Sequence, residues 1–454
     1  MNRSTVTLLA LLFFLLAAGE LSAAPEDDAA ATAGEDPAAG EGSAGEEIDD
    51  SFLRDINTEP YRTPRAGEGF RARVFGFDVR EPPRNRRSVN AWDIGVATTA
   101  PGADENEVVP FGSLYFWRHP DEDTLFRGIV LGVFNRIFYS KSPEGFGPFE
   151  LVLTFENLTV PIDSGEIIDG TRLDEEELET GEVRPGFGFG YRRQVDPGEQ
   201  DNMFALTFTA EPSYLYFDEG SDTAPTFAVP QDTFELRLRA QVRWDAMIRN
   251  LLELPHQGFQ AGADLIYGHR ASWEDWGAGR SRSGDEGQDH LLFAGYVGGA
   301  TQMPFVESER HRLLGFVHGG VGSDLDRFSA QRLGGGPAPF GEEYGSTWRP
   351  VLPGAAINEF FPEHYVVAVG EYRWEPIFFT YLSARASVGY LDRDRRLNGT
   401  IERQDDVFAA LGARITTGFV FRTRLQIDYN ANFGVIRQSD FGGHEVTFHI
   451  SASF

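Results

Sequence analysis

The sequence predicts an all-β protein, a closed barrel of sixteen antiparallel strands that crosses a membrane. Three observations carry that expectation. The stretch His444 to Phe454 alternates strictly, several internal stretches alternate with arginine on the polar face, and strand-like segments count to an even total. Beyond residues 1–23 no apolar run approaches the roughly 20 residues a spanning helix needs, so a membrane protein of this sequence must cross as strands.

Taken in order, the chain opens with a secretory signal over 1–23. Arg3 supplies the positive start, Leu8 to Ala18 the apolar centre and Leu21-Ser22-Ala23 the small-residue exit. Residues 24–50 hold ten acidic residues and no Lys or Arg, a composition that buries no core and predicts a disordered acidic tail. Residues 51–66 carry Phe52, Leu53, Ile56 and Tyr61 and read as a linker or a short plug. The barrel is expected over 67–454.

The net charge of −30, about −20 without the acidic tail, argues against nucleic acid and anionic lipid as partners. With no cysteine there is neither a lipid-anchored amino terminus nor a disulfide framework. Lys141 is the sole lysine, so the basic residues are nearly all arginine, suited to pairing with carboxylates in a crowded polar lumen.

The clearest alternation runs from Phe234 to Trp244. Phe234, Leu236, Leu238, Ala240, Val242 and Trp244 share one face, while Glu235, Arg237, Arg239, Gln241 and Arg243 share the other. A slip of one residue would put three arginines into lipid, so the register is strongly specified. Phe421 to Phe433 and Phe204 to Phe208 repeat the pattern. A soluble sandwich turned outside-in has the same periodicity, so counting must decide. Strands are read near 69–79, 90–99, 109–118, 126–138, 148–157, 184–194, 203–216, 232–246, 257–269, 290–301, 311–321, 365–375, 378–391, 406–418, 420–430 and 444–454. The total is even, and from the fifth strand long connections (158–183, 217–231, 270–289, 322–364, 392–405, 431–443) alternate with short ones. In the last strand Val446, Phe448, Ile450 and Phe454 face outward and close the barrel against the first, because lipid leaves no backbone group unpaired.

Chemical motifs are scarce. Gly186-Phe-Gly-Phe-Gly-Tyr191 reads as a strand with Phe187, Phe189 and Tyr191 outward, since no helix follows to make a phosphate loop. The histidines lack zinc spacing, and His311 and His318 fall on opposite faces. Ser451, His449 and Glu445 share the last strand's inward face, but neighbours there stand nearly 7 Å apart, too far for a nucleophile and its base. The acidic run 174–179 reads as a solvated loop. No catalytic residue, cofactor or metal is expected.

Three stretches together resemble the Omp85 superfamily, the bacterial surface antigen (D15-type) outer-membrane barrels. Asp245, Asn250, Pro255 and Gly258 are similar to that family's turn between strands eight and nine. Leu333-Gly334-Gly335 opens the long loop 322–364 as the family's inward-folded sixth loop does. Gly370-Glu371-Tyr372-Arg373-Trp374 is similar to the strand that follows it. The loop-tip match is Leu352-Pro353-Gly354, without the family's arginine, and Ser387 in Arg385-Ala386-Ser387 stands where the family's wall aspartate would be. Losing both partners is coherent, since keeping one strands a buried charge at about 3–5 kcal/mol. Arg349 or Arg385 is an alternative holder of the loop, and the lumen wall is expected to include Glu371, Arg373, Arg385 and Ser387. Only about 45 residues separate the signal exit from the first expected strand, too few for the family's periplasmic POTRA modules. The resemblance implies an outer-membrane barrel that assists insertion or translocation of protein or lipid through a weak seam between its first and last strands. Its implied partners are outer-membrane lipids, the barrel assembly machinery acting on the C-terminal strand, and a periplasmic protein. The alternative is a passive porin-like channel for small solutes.

Overall fold

The structure is a computed structural model describing residues 54–56, 61–74, 76–102, 107–164, 166–195, 202–337, 351–397, 400–419, 423–437 and 440–453. The signal over 1–23, the acidic tail over 24–50, Arg349 and Phe454 lie outside the described residues.

A closed barrel of sixteen antiparallel strands dominates the fold. Its strands are β1 (Ser88–Ala100), β2 (Glu107–Arg118), β3 (Thr124–Val130), β4 (Phe134–Lys141), β5 (Phe149–Ser164), β6 (Leu178–Gln194), β7 (Met203–Glu219) and β8 (Thr233–Arg249). They continue with β9 (Pro255–Arg270), β10 (Asp289–Gln302), β11 (His311–Ser323), β12 (His364–Ile377), β13 (Thr380–Leu397), β14 (Thr400–Phe419), β15 (Thr423–Arg437) and β16 (Asp440–Ser453). Each strand pairs with its chain neighbours, and β16 returns to β1 through ten registered pairs, from His444↔Ala100 to Ser453↔Ala91.

The wall is oily outside and ionic inside. On β8, Phe234 and Leu238 are 67% and 49% exposed while Glu235 and Arg237 are 2% and 7% exposed. A soluble protein would reverse those figures, whereas a barrel in hydrocarbon requires them. Phe187 and Phe189 on β6 are likewise exposed. Where β1 begins and β16 ends, here called the terminal rim, Trp374 and Tyr372 flank His311, and Trp244 meets Phe259 edge-on. These form a partial aromatic girdle.

Several expectations need correction. Residues 70–81 are not a barrel strand but a hairpin, Phe70–Val74 with Phe77–Glu81, joined to Arg54–Asp55 in a separate three-stranded sheet. The barrel therefore starts at Ser88 rather than 67. The segment 126–138 is two strands split at Leu131-Gly132-Val133, where Gly132 has φ +81°. One strand lost and one gained leave the total at sixteen. The long connections at 392–405 and 431–443 are largely strand: β13 pairs β14 up to Leu397↔Thr400, and β15 pairs β16 up to Arg437↔Asp440.

The seam is not the weakest part of the wall. Only five pairs join β2 to β3, from Leu114↔Val130 to Arg118↔Phe126, and β4 meets β5 only up to Phe134↔Leu158. Above these, no described strand pairs with Glu107–Ser113 on the side away from β1, or with Val160–Ser164 on the side away from β6. Strand β3 has seven residues. At a tilt near 40° that gives a rise of about 18 Å against an apolar band of about 25 Å. The hairpin β3–β4 is thus the low base of a notch whose facing edges contain Pro110 and Pro161. Proline offers no N–H and discourages pairing at an exposed edge.

Candidate functional site: the lumen, its loop and its rim

The loop between β11 and β12 is described on two arms, 324–337 and 351–363, which pair with each other. Leu333 and Phe360 exchange backbone hydrogen bonds of 2.9 Å each way, Leu352 N donates to Gly334 O at 2.8 Å, and Gly335 N donates to Ala356 O at 2.9 Å. The glycines follow from this closeness. A Cβ on Gly334 or Gly335 would lie 2.4 or 2.0 Å from the facing carbonyl oxygen, inside any tolerable contact.

Both arms converge on one carboxylate of the closing strand. Glu445, 2% exposed, accepts hydrogen bonds from Gly354 N at 2.8 Å, from Gly336 N, and from Asn430 Nδ2 at 3.1 Å. Gly336 and Gly354 sit at φ +86° and +81°, which glycine adopts without strain. Asn432 Nδ2 donates to Pro353 O at 2.8 Å, and His318 Nε2 lies 3.2 Å from Val351 O. Leu333 and Leu352 pack with Tyr365, Val367, Leu391 and Phe408, inward-facing apolar residues of β12 to β14. Farther along, Arg437 of β15 grips Glu359 through two contacts of 2.6 Å, both residues almost wholly buried.

The expected wall residues divide. Glu371, Arg373 and Arg385 join one ionic chain: Arg373 Nε donates to Glu371 at 3.0 Å, Ser383 Oγ at 2.8 Å, and Arg385 bridges Glu371 and Asp428 at 3.7 and 3.5 Å. Arg385 is therefore spent on the wall and does not hold the loop. Ser387 lies on the same strand and takes no part in the chain. A second cluster centres on Glu156, which meets Arg136, Arg184 and Arg239 at 3.0, 2.7 and 3.2 Å. On the closing strand's inward face the Arg424 guanidinium sits 3.1 Å from Ser451 Oγ and 3.3 Å from His449 Nε2.

At the terminal rim residues 61–66 of the linker segment lie against the turns. Tyr61 Oη donates to Glu375 at 2.6 Å and Thr63 Oγ1 at 3.0 Å, while the Arg310 guanidinium stacks 3.7 Å from the Tyr61 ring. Burial first, and then the Glu375 carboxylate, push the Tyr61 phenol far up, so it remains a protonated donor. Arg84 and Arg86 both reach Glu253, at 2.6 and 2.8 Å, and Phe70 packs edge-on to Phe378 and Phe379. The turn after β8 is set by Asn250, whose Oδ1 accepts from Leu252 N and Leu254 N at 3.0 Å each. Asp245 accepts from Arg249 at 2.9 Å, and Gly258 at φ +113° lets β9 approach Ala246. Sequence reasoning singled out this turn and the loop glycines. It missed Glu445 as their anchor and the stretches 61–74 and 76–86 as a rim element.

No protein-family profile matches the chain, and no curated protein resembles it in sequence. Among solved structures it is similar to BamA from Haemophilus ducreyi lacking POTRA domains 1-3 at 10% identity and TM-score 0.49, covering 85% of this chain and 75% of that one. It is also similar to CdiB from Acinetobacter baumannii at 11% identity and TM-score 0.48, covering 87% of this chain and 64% of that one. Pseudomonas aeruginosa OccK2 in complex with glucuronate matches at 10% identity and TM-score 0.33. At such identities and TM-scores the functional reading has to come from this chain's own residues.

Proposed function

We propose that the chain is an Omp85-like barrel of the bacterial outer membrane that assists insertion or translocation of protein or lipid, with its lumen narrowed by the loop arms 324–337 and 351–363. The observation that carries this reading is the Glu445 anchor. A carboxylate on the closing strand holds both arms of a long loop against the lumen wall. A passive pore needs a continuous water path, and a lumen crossed by this loop and by arginine–carboxylate clusters is a poor one. On this reading the terminal rim faces the periplasm, where the stretches 61–74 and 76–86 offer a surface to a periplasmic partner. The assembly machinery meets the chain through β16. No chemical step is involved. The part of the wall that yields to a substrate is the notch between β2 and β5, not the fully paired seam.

Planar-bilayer recording combined with photocrosslinking tests this. The expected result is small or flickering conductance, and crosslinks to an unfolded barrel polypeptide from a photoreactive group at Val109 that exceed those from Phe448. A large steady conductance with no crosslink at either position would favour the porin-like channel. Crosslinks confined to Phe448 would return the opening to the seam.

A further inference from the structure

The turn from β8 to β9 leaves its own side of the barrel and leans across the terminal mouth. Leu252 and Leu254, 4% and 1% exposed, pack on Tyr381 at the start of β13, and Arg373 of β12 donates to Pro255 O at 2.8 Å. Glu253, between the two leucines, holds a left-handed backbone at φ +59°, which a residue with a Cβ resists. The two hydrogen bonds that Asn250 Oδ1 accepts keep the turn in that shape.

Arg84 spans what the turn leaves open. Its guanidinium donates to Glu253 at 2.6 Å through Nη2 and to Ser453 Oγ at 2.8 Å through Nη1. Ser453 ends β16, on the opposite side of the sixteen-strand ring from the β8–β9 turn. In an open ring of that size two such points stand roughly 30 Å apart, yet here one side chain joins them. Arg86 takes the other Glu253 oxygen at 2.8 Å. Two guanidiniums thus meet one carboxylate, and the three side chains are only 9–10% exposed. Arg86 and Glu253 also line a lumen cavity of about 170 Å³, together with Ala205, Gln241 and Gln260. The turn is fixed by its buried leucines, whereas residues 82–87, which carry both arginines, belong to no strand.

The geometry points to a clasp at the terminal mouth, in which Arg84 and Arg86 close on Glu253 and shut the cavity off from outside. Segment 82–87 is the part that swings. Without the carboxylate two like charges stand side by side in a nearly enclosed place, which drives the segment outward. The clasp concerns water access to the lumen alone, so it stands or falls apart from the insertion reading. The chain has no cysteine, so a single thiol reports on it without background. Ala205→Cys serves, because Ala205 is in register with Arg192 and Arg243 of the adjacent strands, which line the same cavity. The full chain in detergent micelles is treated with the anionic reagent sulfonatoethyl methanethiosulfonate, with Asp121→Cys on an exposed turn as reference. Ala205→Cys should react at least roughly tenfold more slowly than Asp121→Cys, and adding Glu253→Gln or Arg84→Met should raise its rate roughly tenfold. Both variants should keep the heat-modifiable gel mobility of a folded barrel and leave the Asp121→Cys rate unchanged. An Ala205→Cys thiol as reactive as the reference would mean that the clasp shuts nothing, and overturn it. A folded Glu253→Gln or Arg84→Met with an unchanged Ala205→Cys rate would overturn it equally. Should Glu253→Gln lose the folded mobility, Arg84→Met decides in the same way.

Discussion

Replacing Glu445 by alanine is expected to release the loop from the closing strand. The buried carboxylate accepts two backbone N–H groups, from Gly336 and Gly354, besides Asn430. Without it those donors remain buried and unpaired at about 1–3 kcal/mol each, a total of roughly 2–6 kcal/mol at one point. The arms also pair with each other and pack on Leu391 and Phe408, so the expected outcome is a mobile loop rather than an unfolded barrel. Single-channel conductance should rise, and a protease added from the far rim should cut within the arms 324–337 and 351–363. Wild-type conductance together with undiminished protection would show that Glu445 does not anchor the loop.

Truncating Arg437 to alanine should have an effect of similar size for another reason. Glu359 and Arg437 are 2% and 1% exposed at the side chain and meet in two contacts of 2.6 Å. Removing one partner leaves an uncompensated buried charge, at about 3–5 kcal/mol. Replacing both with methionine should recover most of that loss, because two apolar side chains of similar length leave no charge to compensate. The measurement is the temperature at which the folded barrel loses its fast gel migration. A single variant as stable as wild type, or a double variant no better than the single, would contradict this account.

The barrel was legible where each strand sets arginines against aromatics. On β8 a slip of one residue is forbidden by three arginines, and the observed faces agree with the alternation. Legibility failed where the pattern lost contrast. Val130 to Phe134 is apolar except for Gly132, so nothing in its hydropathy marked the turn that separates β3 from β4. The hairpin 70–81 alternates as a barrel strand does, and only pairing partners reveal that it belongs to another sheet. At the far rim, Arg393 with Asp406 at 2.7 Å and Arg403 with Asp392 at 3.2 Å pair across β13 and β14. Such charged strand ends read as loop because they lack an oily face. The loop glycines were visible because the backbone conformation needs them. Glu445 was not, because one inward carboxylate among many looks ordinary until the segment it touches is known.

Everything here depends on a wall whose last strand joins its first in a single register. The chain has no cysteine, so introduced pairs report without background. Ile450 faces Ile94 across the junction, and the most direct measurement is the oxidative crosslinking of Ile450→Cys with Ile94→Cys in intact outer membranes. A crosslink is expected for that pair, and none for Ile450→Cys with Asp93→Cys, one residue out of step and on the opposite face. Crosslinking of the shifted pair alone, or of neither, would contradict the closed barrel.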